Sequence, residues 1–529
     1  MAAVAEVLEA PFAGSVGRFE GLVSYLQAEE AMRMRHSDLE REIFERGREL
    51  LRQLLQDHLN LRGPGQARGP VRDADGSART RKRMQERDLE TVLGVVQVER
   101  VGYGAKGEES VHPLDAELNL PEQRYSHELE RRVAEEAARG SFEEAAEAVK
   151  KQTGQELPKR QAEEIARRAA QDFDAFYAQR QGQAMAAESS QLLVITTDAK
   201  GVVVRREDLR EQTRKAAKQR AHKLSKRLSK GEKRNAKRMA QVASVYTVAP
   251  VMRTAEDVVR GLTGVGPVPE PERAKPPRAR PEHKRVWASV EKSPEEVIEQ
   301  AFEEGRHRDP GSEKKWVALV DGNETQFRIL HEVSTRLGIA LTIVLDIVHV
   351  AQYLWAAGLA FFVEGSRERE LWVAEQLAEI LRGRVSVVVG AMRRRATRRG
   401  LTAKQREPVE KCATYLLGHA QYMRYHEYLA GGFPVATGVI EGACRYLVKD
   451  RMEITGARWS LTGAEAVLRL RALRASGDFD EYWRFHEDQE YTRNHVARYA
   501  DGKVPVVDTT VPTPKGRQIH RRHHLRVVK

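Results

Sequence analysis

KKWVALVDGNE, residues 314–324, holds an unbroken apolar run, Trp316 to Val320, that stops at Asp321 and the turn signal Gly322-Asn323. A short continuous apolar run bounded by a turn is the pattern of a strand buried on both faces. Residues 323–336 then carry helical spacing, and IALTIVLDIVHV (339–350) repeats the strand pattern, ending in Asp346. Upstream, QLLVITTDAKGVVVRR (191–206) reads as an apolar run ending in Asp198 and then a turn, and AQVASVYTVAPVM (240–252) as another strand of the same kind. SPEEVIEQAFEEG (293–305) is a helix with Ser293 as its cap. Three early strands, helix, strand, helix, strand and then helices specify a mixed α/β core over 190–349 and 435–476, interrupted by a helical insertion at 350–434. With strand order 3-2-1-4-5, the first and fourth strands are neighbours and Asp198 and Asp321 lie roughly 4.8 Å apart. Asp346 then lies one strand further out.

The rest of the chain reads as smaller pieces. Leu39, Ile43, Leu50, Leu51, Leu54, Leu55 and Leu59 have helical spacing, with Ser37 and Glu40 as a capping box and Gly63 as the stop. RGPGQARGPVRDADGSA (62–78) reads as a linker that closes an N-terminal region, 1–83. Residues 84–185 follow, with a β-hairpin turning near Gly94 and two short helices. The first starts at Ser141 and stops at Gly154; the second starts after Pro158 with Lys159 and Arg160. This is a helix-turn-helix candidate, and an ordinary helical hairpin has the same pattern. Residues 477–529 are a C-terminal helix and a basic tail.

The 529 residues carry a net charge of +12, and the excess is local. Arg214 to Arg238 holds twelve Lys/Arg against Glu232 alone, within a basic insertion at 205–239 that includes Arg214, Lys215, Lys218, Arg220, Lys226 and Arg227. Lys515 to Lys529 holds six more, and Arg393, Arg394, Arg395, Arg398, Arg399, Lys404 and Arg406 form a third cluster. Each run alone is also what a solvated helix face or tail carries; three together point to phosphates. A Pro/Gly-rich excursion occupies 264–285. Two cysteines, Cys412 and Cys444, exclude a disulfide framework and a four-cysteine metal site. No apolar stretch reaches membrane-span length, and the expected location is the cytoplasm.

Strand-end aspartates commonly act only as caps and turn formers. Their pairing here gives a second reading, two carboxylates sharing divalent cations. A third acid comes from Thr437–Lys449, where Ile440, Ala443, Leu447 and Val448 form an apolar stripe and Glu441, Arg445 and Lys449 follow at i, i+4 and i+8. An exposed Glu441–Arg445 ion pair is the plainer reading of that spacing.

TTDAKGV (196–202), WVALVDGNETQ (316–326), VLDIVHVAQYLW (344–355) and GVIEGACRYLVKDRMEITGARWS (438–460) resemble the acidic motifs of DDE transposases of bacterial insertion sequences, of the ISKra type related to the Mutator-like group. The resemblance spans about residues 84 to 485. It implies an RNase H-like core with an all-helical insertion, and Asp198, Asp321 and Glu441 as the catalytic triad, spaced by 123 and 120 residues. It also implies two Mg²⁺, with Mn²⁺ as a substitute: Asp198 bridging the pair, Asp321 and Glu441 each holding one. The reaction is hydrolysis at a transposon end and joining of the 3′-OH to target DNA. Asp346 and His349 match the Asp/Cys-x-x-His signature of Mutator-like relatives and are expected behind the metal ligands; a capping or core histidine is the other reading of His349. Arg445, Lys449 and Arg451 are expected to clamp phosphates. Trp459 is either a base-stacking or a core residue, Tyr353 and Trp355 read as packing, and Cys444 is set aside as too soft and isolated. The chain departs from many relatives in lacking an N-terminal cysteine-rich zinc ribbon. The expected partners are double-stranded DNA, both terminal inverted repeats and target, and a second copy of the chain, in the nucleoid. An RNase H-like nuclease without strand transfer and a domesticated DNA-binding protein remain as rival readings.

Overall fold

The computed structural model describes residues 2–181, 192–219, 237–265 and 280–508. The chain forms two compact units, one of Met1–Glu136, Phe142–Ile165 and Trp483–Lys529, the other of Ala137–Ser141 and Ala166–Tyr482.

The second unit is mixed α/β. Five strands, β1 (Leu192–Val203), β2 (Lys237–Val248), β3 (Glu282–Ser289), β4 (Lys315–Val320) and β5 (Leu341–Leu345), form one sheet in the order β3-β2-β1-β4-β5. β1 is antiparallel to β2 and β2 to β3, whereas β1–β4 and β4–β5 are parallel. Consecutive residues Leu192 to Ile195 and Val317 to Leu319 are all buried, so both faces of these strands are covered, which is why their sequences are unbroken apolar runs. The sheet edges are blunted. On the β5 side, Tyr425 and Tyr428 donate hydroxyl hydrogen bonds to the carbonyls of Leu345 (2.8 Å) and Ile343 (3.4 Å). On the β3 side, helix Leu461–Ser476 supplies buried Glu465, whose Oε2 accepts from Ser289 Oγ (3.0 Å) and the Val290 amide (2.9 Å). The helices of the insertion, Ile347–Gly358, Arg367–Leu381, Val385–Arg398, Ala403–Gly418 and Tyr425–Ala430, belong to this same unit.

Two expectations change here. β1 does not turn after Asp198: β2 pairs with it along its whole length, from Leu192↔Val248 to Val203↔Lys237, and carries it past the end of the β1–β4 ladder at Thr196↔Leu319. The third strand of the sheet is Glu282–Ser289, whose first residues fall in the span read as a Pro-rich excursion. Its charged start, Glu282 to Arg285, conceals the buried Val286, Trp287 and Ala288. The cap predicted at Ser293 is present with its full capping box, and Asn323 of the Gly322-Asn323 turn caps the helix that follows.

In the first unit, strands Arg81–Thr91 and Gly94–Gly104 form the expected hairpin, closing at Thr91↔Gly94. Helix His36–Arg62 ends at Gly63, whose φ of 68° suits glycine. It starts ahead of Ser37, with Arg35 at the cap position and no side-chain cap, so the Ser37 capping box is not formed. The connector at 62–78 is more than a linker: Gln66–Ala67 pairs antiparallel with Val507–Asp508, and Val71 is buried. Helix Phe142–Thr153 ends at Gly154, and Lys159–Ala169 follows. Among the described residues no helix is long and apolar enough to cross a membrane.

Candidate active site

Strand register puts three aspartates level with one another. The β1–β4 ladder reaches Thr196↔Leu319 and the β4–β5 ladder reaches Val320↔Leu345. Continuing both brings Asp198 opposite Asp321 and Asp321 opposite Asp346. Asp198 is within its strand, whereas Asp321 and Asp346 each directly follow the last residue of theirs, on neighbouring strands roughly 4.8 Å apart.

Their backbones are held differently. Asp198 lies inside β1, opposite Val242 of β2. Its Oδ1 accepts from the Ala199 amide (2.6 Å) and its Oδ2 from the Cys444 thiol (3.2 Å). Cys444 is therefore not isolated, contrary to its sequence reading. Asp321 lies in the turn after β4, its Oδ1 accepting from the Asn323 amide (3.1 Å) and its carbonyl from the Tyr415 hydroxyl (3.0 Å). Gly322 has a φ of 101°, and a Cβ there would sit 2.9 Å from that hydroxyl, so the turn requires glycine. Tyr353 stacks on Tyr415 with ring centres 3.9 Å apart, so its packing supports the same turn. Asp346 is fully buried and caps helix Ile347–Gly358, accepting from the Val348 amide (2.9 Å) and from the Thr437 amide (3.3 Å) and hydroxyl.

Glu441 stands exposed on helix Gly438–Ala443, while Ile440, Ala443, Leu447 and Val448 are buried as the stripe predicts. The helix is not regular: Cys444–Lys449 form a π turn. The wider turn breaks the i, i+4, i+8 line, and Arg445 approaches Asp450 (3.7 Å) instead of pairing with Glu441. Arg445 and Lys449 are exposed. Arg451 is not available to a phosphate: it is 2% exposed, its Nε donates to the Ala137 carbonyl (3.2 Å) and its guanidinium lies 4.7 Å from the Trp459 ring centre. Trp459 is a packing residue, buried, with its indole N–H on the Met452 carbonyl (3.1 Å).

The acids act on one another. Burial and then Asp346 push the Glu441 carboxyl upward, Asp198 adds to this, and His349 opposes it. Burial raises Asp346 against the hydrogen bonds from Thr437 and Val348. Asp346, His349 and Glu441 offer ligand atoms that all lie within 4.8 Å of one another. Asp198 and Asp321 stand outside that grouping, so Asp346 and His349 sit beside Glu441 and not behind it.

The basic residues are dispersed. Arg214 and Lys215 are exposed on helix Glu211–Gln219, which also contains Lys218; Arg220, Lys226, Arg227 and the tail from Lys515 lie outside the described residues. Lys159 and Arg160 are exposed at the start of their helix, Arg160 paired with Glu164 (3.0 Å). In the insertion, Arg393 and Arg406 meet Glu410, and Arg395 lies over Phe362 (4.6 Å), while Arg394, Arg398 and Lys404 are exposed.

The chain matches no protein-family model and no curated protein. Its chemistry therefore rests on the site. Carboxylate oxygens are hard donors that suit Mg²⁺ and Mn²⁺. Burial is the main cause that raises Glu441, and the repulsion from Asp346 and Asp198 that adds to it is the kind that a cation relieves. The thiol of Cys444, pushed upward by burial and then by Asp198, is a hydrogen-bond donor here and not a thiolate ligand.

Proposed function

We propose that the chain is a DDE transposase with an RNase H-like core, which cleaves DNA at transposon ends and joins the freed 3′-OH to target DNA. The observation that carries this reading is the gathering of Asp198 within β1 and of Asp321 and Asp346 directly after the neighbouring strands β4 and β5, with Glu441 on helix Gly438–Ala443 close enough to feel Asp346 and Asp198. Carboxylates gathered near the carboxyl ends of parallel strands in an open α/β sheet are where such sites are built.

Asp198, Asp321 and Glu441 would hold two Mg²⁺. Bound Mg²⁺ would activate the attacking hydroxyl and stabilise charge on the phosphate and the leaving oxygen. Asp198 is fixed for this by Cys444 and the β2 ladder, and Asp321 by Asn323 and Tyr415. Exposed Arg445 and Lys449, on the segment after Glu441, would meet the DNA backbone. Arg214 and Lys215, and in the other unit Lys159 and Arg160, are further exposed cations offered to phosphates. A working complex needs two ends held together, hence at least a homodimer.

The test is a strand-transfer assay with precleaved terminal-repeat DNA and Mg²⁺, using the full chain and Asp198→Asn. Joined product from the wild type, and its loss in Asp198→Asn with DNA binding retained, supports the reading. Hydrolysis without joining would replace it by a nuclease, and DNA binding with no cleavage of any substrate by a binding protein.

A further inference from the structure

The Asp346–His349–Glu441 grouping differs in chemistry from the three acids assigned to Mg²⁺, because it contains an imidazole. We propose that these three side chains hold one divalent ion in a mixed oxygen and nitrogen set, a position that takes a transition ion such as Mn²⁺ or Zn²⁺ in preference to Mg²⁺. This rests on the transposase reading only through Glu441, which belongs to both sets.

Three observations carry it. The ligand atoms lie within 4.8 Å of one another while coming from a strand end, the first turn of the following helix and a helix almost a hundred residues later. Metal–ligand bonds of about 2.0–2.2 Å put two ligands of one ion roughly 3–4 Å apart, so a small rotation of exposed Glu441 closes the set.

Second, the members are prepared unequally, as ligands are when a supporting shell orients them. Asp346 is fixed through both oxygens, Oδ1 by the amides of Val348 and Thr437 and Oδ2 by the Thr437 hydroxyl. One lone pair, on Oδ2, is left for a ligand role. His349 follows Asp346 by three residues, which brings an N-cap carboxylate and a ring in the first turn to one side of the helix.

Third, His349 is half-buried, yet it makes no hydrogen bond or ion pair with any described residue. The other two members are carboxylates whose oxygens come within 4.8 Å of each other and of the ring nitrogen, and a divalent ion answers both facts at once. Mg²⁺ demands oxygen donors in near-octahedral geometry, whereas imidazole suits the transition ions.

The experiment is pulsed electron paramagnetic resonance of the full chain loaded with Mn²⁺, reading ¹⁴N coupling from a ligating imidazole. Wild type is expected to show it. His349→Ala is expected to lose it and to bind Mn²⁺ at least tenfold more weakly, with Mg²⁺ affinity unchanged and circular dichroism and thermal midpoint kept. Mn²⁺ bound without ¹⁴N coupling, coupling that persists in His349→Ala, or no Mn²⁺ bound at all overturns the proposal. Asp198→Asn separates the two readings: it is expected to abolish strand transfer and keep the nitrogen signal. A wild type that shows the signal but joins no DNA refutes the transposase and leaves this metal position standing.

Discussion

Glu304 offers the sharpest test of how the second unit is held together. It lies on helix Pro294–Arg308, is 6% exposed, and takes two guanidiniums: Arg285 at 2.5 Å, and Arg308 at 2.8 Å through Nε and 2.7 Å through its terminal nitrogen. Arg285 is itself stacked on Tyr177, 3.4 Å from the ring centre, and Arg308 also donates to the His283 carbonyl (2.6 Å), so neither can swing away. Burial alone would raise the Glu304 carboxyl, but Arg285 and Arg308 override it and hold it at about 2, against an ordinary value of 4.5. That difference corresponds to about 3 kcal/mol of stability. Glu304→Gln keeps the shape and removes the charge, leaving two buried cations without their anion. The variant is expected to lose about 3 kcal/mol at pH 7, in line with the cost of breaking a buried pair. Because the folded carboxyl is depressed, its contribution is complete above about pH 4.5 and disappears as pH falls toward 2. The gap between wild type and variant should therefore be widest near neutrality and close in acid. Urea denaturation followed by tryptophan fluorescence at pH 7, 5, 4 and 3 measures it. A gap below about 1 kcal/mol at pH 7, or one that stays constant down to pH 3, refutes the reasoning.

Other perturbations address the site. Gly322→Ala combines an unfavourable φ with a contact on the Tyr415 hydroxyl; a stability loss of about 1–2 kcal/mol and at least tenfold slower DNA cleavage are expected, and wild-type values for both in thermal melts and cleavage assays would show that the turn does not need Tyr415. Cys444→Ser preserves a donor to Asp198 and should keep metal affinity within about threefold, whereas Cys444→Val should weaken it about tenfold by isothermal titration; equal effects would remove the hydrogen bond from the account. Arg445→Ala and Lys449→Ala should each reduce the salt slope of DNA binding by about one without changing the melting temperature. Arg451→Ala should do the reverse, costing about 1–3 kcal/mol of stability with an unchanged salt slope; a slope change without destabilisation would return Arg451 to the DNA surface.

The central strands were legible because burial on both faces forces unbroken apolar runs, and Asp321 and Asp346 were legible as strand ends because a turn or a helix cap follows each. The course of β1 past Asp198 was not, since Ala199-Lys200-Gly201 has turn composition and only the partner β2 keeps it extended. β3 was hidden by its charged flank. The π turn leaves no mark in a pattern read at 3.6 residues, and the burial of Arg451 depends on the Ala137 carbonyl and the Trp459 ring, which no local spacing shows. The grouping of Asp346 and His349 with Glu441 depends on where the chain returns after the helical insertion, and no local spacing encodes that. Cys444 could have been found: it stands three residues after Glu441, on the neighbouring part of the same helical surface.

The unequal anchoring of the acids gives the centre one stiff side and one compliant side. Asp198 sits within a twelve-residue strand with β2 bonded along its full length, so its main chain can shift only if the sheet shifts. Asp321 rides on a glycine turn leaning on a single tyrosine hydroxyl, and Glu441 is an exposed side chain on a six-residue helix. Whatever the centre accommodates, an ion of different radius or a phosphate advancing along the strand ends, the displacement has to be absorbed by the turn and the glutamate. Amide hydrogen exchange would register this as slow exchange around Asp198 beside fast exchange around Gly322.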